Sequence, residues 1–165
     1  MAQQDRPFEI LRQRLRQITD DPVDQSDLDY QAEQIIATIK LRTQRGNYLT
    51  SQTGGRSEPR TQYSPGHAKK RQAIGLPIDR VTLFMGEVGV LEAIHSRTTT
   101  NSIEVGYITG LSEARAKEIG EYLNTLGAGV NRVTYQHIGL TQAEEEQLRE
   151  SLVGHVREKV QRIFR

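Results

Sequence analysis

A chain of 165 residues with no cysteine cannot lean on disulfides, thiol nucleophiles or thiolate metal sites, so whatever holds it together must be packing and polar contacts. Leu, Ile, Val and Phe number 40 of the 165, enough for one folded domain but a thin core, and aromatic residues are few. The net charge of +1 conceals two opposed blocks. Residues 20–33 hold Asp20, Asp21, Asp24, Asp27, Asp29 and Glu33 with no base, whereas residues 40–71 hold eight bases against Glu58 alone.

In chain order, Phe8, Leu11, Leu15 and Ile18 recur at helical spacing after Pro7 and predict an amphipathic first helix. "MAQQDRPFEI" has no apolar core of the signal-peptide kind, and no run of about 18 apolar residues predicts a membrane span. These features predict a soluble intracellular protein. "DDPVDQSD" breaks the pattern, and a second helix opens near Ser26 or Asp27, carrying Leu28, Ala32, Ile35, Ile36 and Ile39 on one side. Gly46 is placed to stop it.

Residues 47–76 then read as a long basic loop. Between 51 and 75 the text is "SQTGGRSEPRTQYSPGHAKKRQAIG", with Arg56, Arg60, Lys69, Lys70 and Arg71, and few apolar groups to offset an ordering cost of roughly 1 to 2 kcal/mol per residue. On that composition the loop is expected to be mobile in a free monomer and ordered against a partner.

Beyond Pro77, "RVTLFM" predicts a short buried strand and "GEVGVLEAI" a helix through Val88, Leu91 and Ile94. "HSRTTTNSIEVGYI" predicts a hairpin turning near residues 100–102. Ser112 is placed to cap a helix over residues 113–126 that buries Ala116, Ile119 and Leu123, with "GAG" ending it. "VNRVTYQHI" alternates like a strand. Thr141 stands three residues before Glu144, a capping box for a terminal helix whose stripe runs through Leu148, Leu152, Val153, Val156, Val160 and Ile163 and is expected to pack on the sheet. The whole predicts an α+β fold in a single domain, with a small antiparallel sheet packed by helices, the basic loop, and a long C-terminal helix.

Catalytic patterns are scarce. His67, His95, His137 and His155 fall in four different elements without a metal-ligand spacing such as HExxH. No GxSxG frames a serine, "TGGRSE" lacks the Lys and Ser/Thr of a phosphate loop, and "GEVG" falls short of a dinucleotide fingerprint. The expectation is a protein without catalytic residues, cofactor or metal.

The order of the pieces carries more than any one of them. A helix running into "IKLRTQRG", a polar stretch reaching "QYSPGHAKKR", a strand followed by Gly and "VLEAI", a hairpin ending "IEVGYI", a helix, and "HIGLTQAEEEQL" opening the last helix resemble the tail-completion, or virion-morphogenesis, proteins of tailed bacteriophages. The resemblance spans roughly residues 35–164 and leaves the first 30 outside. Where the family often has Arg-Pro-Phe before "GLT", this chain has "YQHIGLT", and the family's aromatic and His pair is not evident in "GEYLNTLG". The resemblance implies a non-enzymatic virion protein of the neck or tail end. It would act as a cyclic homo-oligomer of six rather than twelve subunits, beside a connector, tail terminator or tail tube, with no membrane. Genomic DNA would pass it without sequence-specific contact.

Two uses of the charge blocks follow. The basic residues Arg56, Arg60, Lys69, Lys70 and Arg71 would meet a complementary acidic patch at Asp20, Asp21 and Asp24 on a neighbouring subunit, or they would line a lumen and contact DNA. The alternative to a ring is a small basic nucleic-acid-binding module resting on the same bases.

Overall fold

The structure, a computed structural model, describes residues 23–50, 56–60, 63, 65–79, 81, 83–85, 88–100, 102–126 and 135–163. The first helix expected from sequence and the acids Asp20 and Asp21 lie outside these. Among the described residues four helices, α1 (Gln25–Gln44), α2 (Pro65–Ala73), α3 (Ala114–Thr125) and α4 (Gln142–Ile163), accompany three antiparallel strand pairs, an α+β arrangement that includes a long C-terminal helix. The pairs are β1 (Asn47–Leu49) with β2 (Ser57–Pro59), β3 (Phe84–Met85) with β4 (Val88–Gly89), and β5 (His95–Thr98) with β6 (Ile103–Gly106).

Asp24 caps α1, its carboxylate accepting the Ser26 and Asp27 amides at 2.9 and 3.2 Å while Asp27 reaches back to the Asp24 amide at 2.9 Å. The helix ends as expected, with Gly46 at φ 80, a left-handed conformation that side chains resist. The capping box at α4 forms too: the Thr141 amide donates to Glu144 at 2.7 Å and Thr141 Oγ1 accepts the Glu144 amide at 3.2 Å.

Three expectations about individual elements are corrected. "GEVGVLEAI" is no helix: β4 is followed by a turn over residues 90–93 that buries Val90, Leu91 and Ala93. Ser112 does not cap α3. Its hydroxyl donates to the Ala93 carbonyl at 2.7 Å, and Glu113 accepts the Arg115 and Ala116 amides instead. The described part of "VNRVTYQHI" forms no strand, because its backbone bonds go singly to different elements: the Tyr135 amide to the Leu123 carbonyl, the Gln136 carbonyl to the Leu49 amide.

The core joins Ile39 of α1, Tyr48 of β1, Val81, Leu83, Val90, Leu91, Ile94 and Leu123 of α3. α4 packs on α1 rather than on a sheet, and the two run antiparallel: Lys159 and His155 meet the start of α1, and Glu144 meets Arg42 near its end. Among the stripe residues whose side chains are described, only Leu148 is buried, while Val153 is exposed.

Candidate interface at the basic segment

Within the expected loop at 47–76 the described residues carry β1, β2 and α2 in place of continuous loop. Tyr48 is 1% exposed, its hydroxyl donating to the Val81 carbonyl at 3.1 Å and its ring meeting Tyr135 edge-on. Burial pushes this phenol far above the usual tyrosine range. β1 is held on both sides, by β2 in register Tyr48 to Glu58 and by the Gln136 carbonyl. Beyond β2, the Arg60 amide donates to Gly46 and its carbonyl accepts from Val81, so the backbone returns to the core before α2 begins.

α2 contributes a clamp. His67 and Arg71, four residues apart, share one face of α2, and Tyr63 stands just ahead of the helix. The Tyr63 and His67 rings stack with centroids 5.1 Å apart, and the Arg71 guanidinium sits 4.6 Å from the Tyr63 centroid. Arg71 is 3% exposed and its Nε donates to the Pro77 carbonyl at 3.0 Å. The Leu76 amide returns to the Arg71 carbonyl at 2.9 Å, so residues 74–78 fold back over the end of α2. Burial, followed by the charges of Arg71 and Lys70, holds His67 below the ordinary imidazole range, which keeps the stacked ring neutral.

The five bases named from sequence therefore separate by role. Arg56, Lys69 and Lys70 are exposed, Arg60 is half-buried, and Arg71 is an interior strut. Following the exposed lysines in the chain, Ile74 is 65% exposed and Ile78 is exposed too. The tip from Pro65 to Ile78 contains no acid, so it presents cations and apolar groups together.

The acidic block separates as well. Asp24 accepts from Lys159, and that bond, followed by the one from Ser26, holds its carboxyl far below the usual range. Asp27, fully buried, accepts from the same ammonium at 2.7 Å and lies 3.2 Å from His155, whose ring stacks on Tyr30. Burial opposes the charge on Lys159, but its bonds to Asp24 and Asp27 outweigh that and raise its pKa. Asp29 accepts from Thr98 and Gln25, joining α1 to β5. All three aspartates thus have partners within their own chain.

A second polar knot ties α1 to the stretch before α4. Arg42, 5% exposed, donates to Glu144 and to the carbonyls of His137 and Gly139 at 2.6 and 3.0 Å. His137 is wholly buried. Its Nδ1 lies 2.7 Å from the Tyr135 carbonyl, which only accepts, so Nδ1 carries the hydrogen and Nε2 accepts from the Tyr107 hydroxyl at 2.6 Å. Burial pushes its pKa down to about 4.

A separate cleft of about 520 Å³ opens between the turn after β4 and the start of α3. Glu92, His95, Glu113 and Arg115 stand around it, with Ala93, Leu111 and Ala116 as apolar wall. Sequence reading missed this cleft, since turn and helix start are brought together only by the fold. It also missed the clamp, although the spacing of Tyr63, His67 and Arg71 was available. Among the described residues no group of three or more His, Asp or Glu is placed to hold a metal, and no helix is long and apolar enough to cross a membrane. No family model matches the chain, and no curated protein or solved structure matches it either.

Proposed function

We propose that the protein is a non-enzymatic structural protein of the neck or tail end of a tailed bacteriophage, one that closes into a ring and completes the tail or joins it to the head. The observation that carries this reading is the tip at residues 65–78. A buried arginine anchors it while Lys69, Lys70, Ile74 and Ile78 stay exposed. Large apolar groups displayed on a firmly held support among cations suit a surface that is covered on assembly. The order of motifs over residues 35–164 supplies the kind of particle. In it the chain would contact its own copies, six to a ring, and a connector, tail terminator or tail tube, with genomic DNA passing without sequence-specific contact.

The test is the mass of the purified protein across a concentration series, and of the ring recovered from particles. A discrete multimer near six subunits is the expected result, and a monomer at every concentration would overturn it. The second reading, a basic nucleic-acid-binding module, draws on the exposure of Arg56, Lys69 and Lys70. With Arg71 interior its cationic surface is smaller than the sequence count. A monomer binding random DNA with a steep dependence on salt would favour it.

A further inference from the structure

We propose that the tip at residues 70–78 of one subunit docks into the Glu92–Leu111–Glu113 cleft of a second copy of this chain. The proposal rests on the ring reading and names the two surfaces that would meet.

A ring needs two different patches that fit each other, so that each subunit gives one and receives the other. Asp24 and Asp27 are poor candidates for the receiving patch because both are already paired with the Lys159 ammonium of their own chain. The cleft is a better one. Ala93, Leu111 and Ala116 give it an apolar wall, and Leu111 is 52% exposed, a large apolar group in contact with water in the single chain. Glu92 and Glu113 bring two carboxylates against the single guanidinium of Arg115, so acids outnumber arginines around the cleft. The Glu113 carboxylate is fixed in place by the amides of Arg115 and Ala116, and those bonds hold it ionised to lower pH than usual.

The tip has the converse character. Ile74 is the most exposed large apolar side chain described, and it follows Lys70 by four residues at the end of α2. The Arg71 clamp fixes the turn that carries it, so little order remains to be imposed on docking. Ile74 against Leu111, with Lys70 reaching Glu92 or Glu113, would bury both apolar groups and pair the charges at the rim.

The absence of cysteine permits a direct test. Ile74→Cys and Leu111→Cys are made in separate chains, mixed at equal amounts and oxidised. The expected product is the mixed disulfide, in roughly fivefold or greater excess over either like pair, because only closely apposed positions can bridge. A double variant carrying both should give a ladder of covalent multimers. In the charge test, Lys70→Glu should raise the concentration for half-assembly about tenfold, and Glu92→Lys in the same chain should reverse most of that. A ring of unchanged mass that yields no mixed disulfide overturns the docking and leaves the neck reading standing. A mixed disulfide in a protein that stops at dimers supports the docking and sinks the ring. A monomer at every concentration, with no mixed disulfide, overturns both.

Discussion

The α1–α4 contact and the apolar centre around Tyr48 use different chemistry for the same task. Between the helices the buried residues include Asp27, Gln31 and Arg42, and the bridging bonds run from Lys159 to Asp24 and Asp27, from Gln31 to the Leu148 carbonyl, and from Arg42 to Glu144. Around Tyr48 the partners are Ile39, Val81, Leu83, Val90, Leu91 and Ile94, and a single hydroxyl is satisfied by a carbonyl. Apolar packing is tolerant of register, because one aliphatic neighbour replaces another at modest cost. Buried ions are not: each demands its partner, so the polar contact specifies where α4 lies along α1 while the apolar centre supplies most of the driving force. With so few large apolar residues, this chain fixes its long C-terminal helix with a set of polar pairs.

The sharpest way to test that division is to damage each side in turn. Tyr48→Ala should cost about 4 kcal/mol by leaving a cavity in the apolar centre, the largest loss expected, whereas Tyr48→Phe should cost about 1 kcal/mol by leaving the Val81 carbonyl unpaired. Chemical denaturation of the two variants measures both, and equal losses would mean that the hydroxyl rather than the ring does the work. On the polar side, Arg42→Ala strands Glu144 and two carbonyls, and we expect about 2 to 3 kcal/mol, moderated because Glu144 keeps some contact with water. If that variant melts like the parent, the polar knot is not what positions α4.

pH separates the regions further. His137 has a folded pKa near 4 against about 6.5 when unfolded, so the unfolded chain takes up its proton first as pH falls. Its contribution to stability is full above about pH 6.5 and is lost progressively between there and about pH 4. His137→Gln should flatten the melting temperature across that window. A slope left unchanged would place the acid sensitivity elsewhere. Asp24, depressed by Lys159, acts in a lower range: its contribution is present above the ordinary aspartate pKa near 3.9 and declines as pH falls further. The smallest effect belongs to the tip: Lys69→Ala and Lys70→Ala should change monomer stability by less than about 0.5 kcal/mol, since both side chains are exposed.

Sequence reading succeeded where the signal was local. The stop of α1 at Gly46, the hairpin of β5 and β6, and the capping box of α4 all depend on residues a few positions apart, and all three are present. It failed where distant groups decide. "GEVGVLEAI" has helical spacing, yet Val90 and Leu91 in the turn and Ile94 just after it are all buried in the core cluster, which meets them without a helix. Ser112 is a sound cap by type, but the Ala93 carbonyl claims its hydroxyl and Glu113 takes the role. At the candidate interface, the count of bases was legible while their division was not. The spacing of Tyr63, His67 and Arg71 was a local hint of their contact, but the burial of Arg71 against the Pro77 carbonyl, while Lys70 stays in water, is decided by the fold.

Gly120 faces the Tyr107 ring so closely that a Cβ there would overlap it, and the same ring donates its hydroxyl to His137. In a chain without tryptophan, this makes Tyr107 an optical probe of α3's seating. Burial, followed by the charges of Glu121 and Glu92, raises its pKa well beyond the usual phenol range, as burial does for Tyr48. Above about pH 10 the unfolded chain gives up these protons first, so phenolate absorbance from Tyr48 and Tyr107 should emerge together with alkaline unfolding. Gly120→Ala would wedge the two surfaces apart, and an earlier onset of that absorbance would record the displacement directly in the ultraviolet.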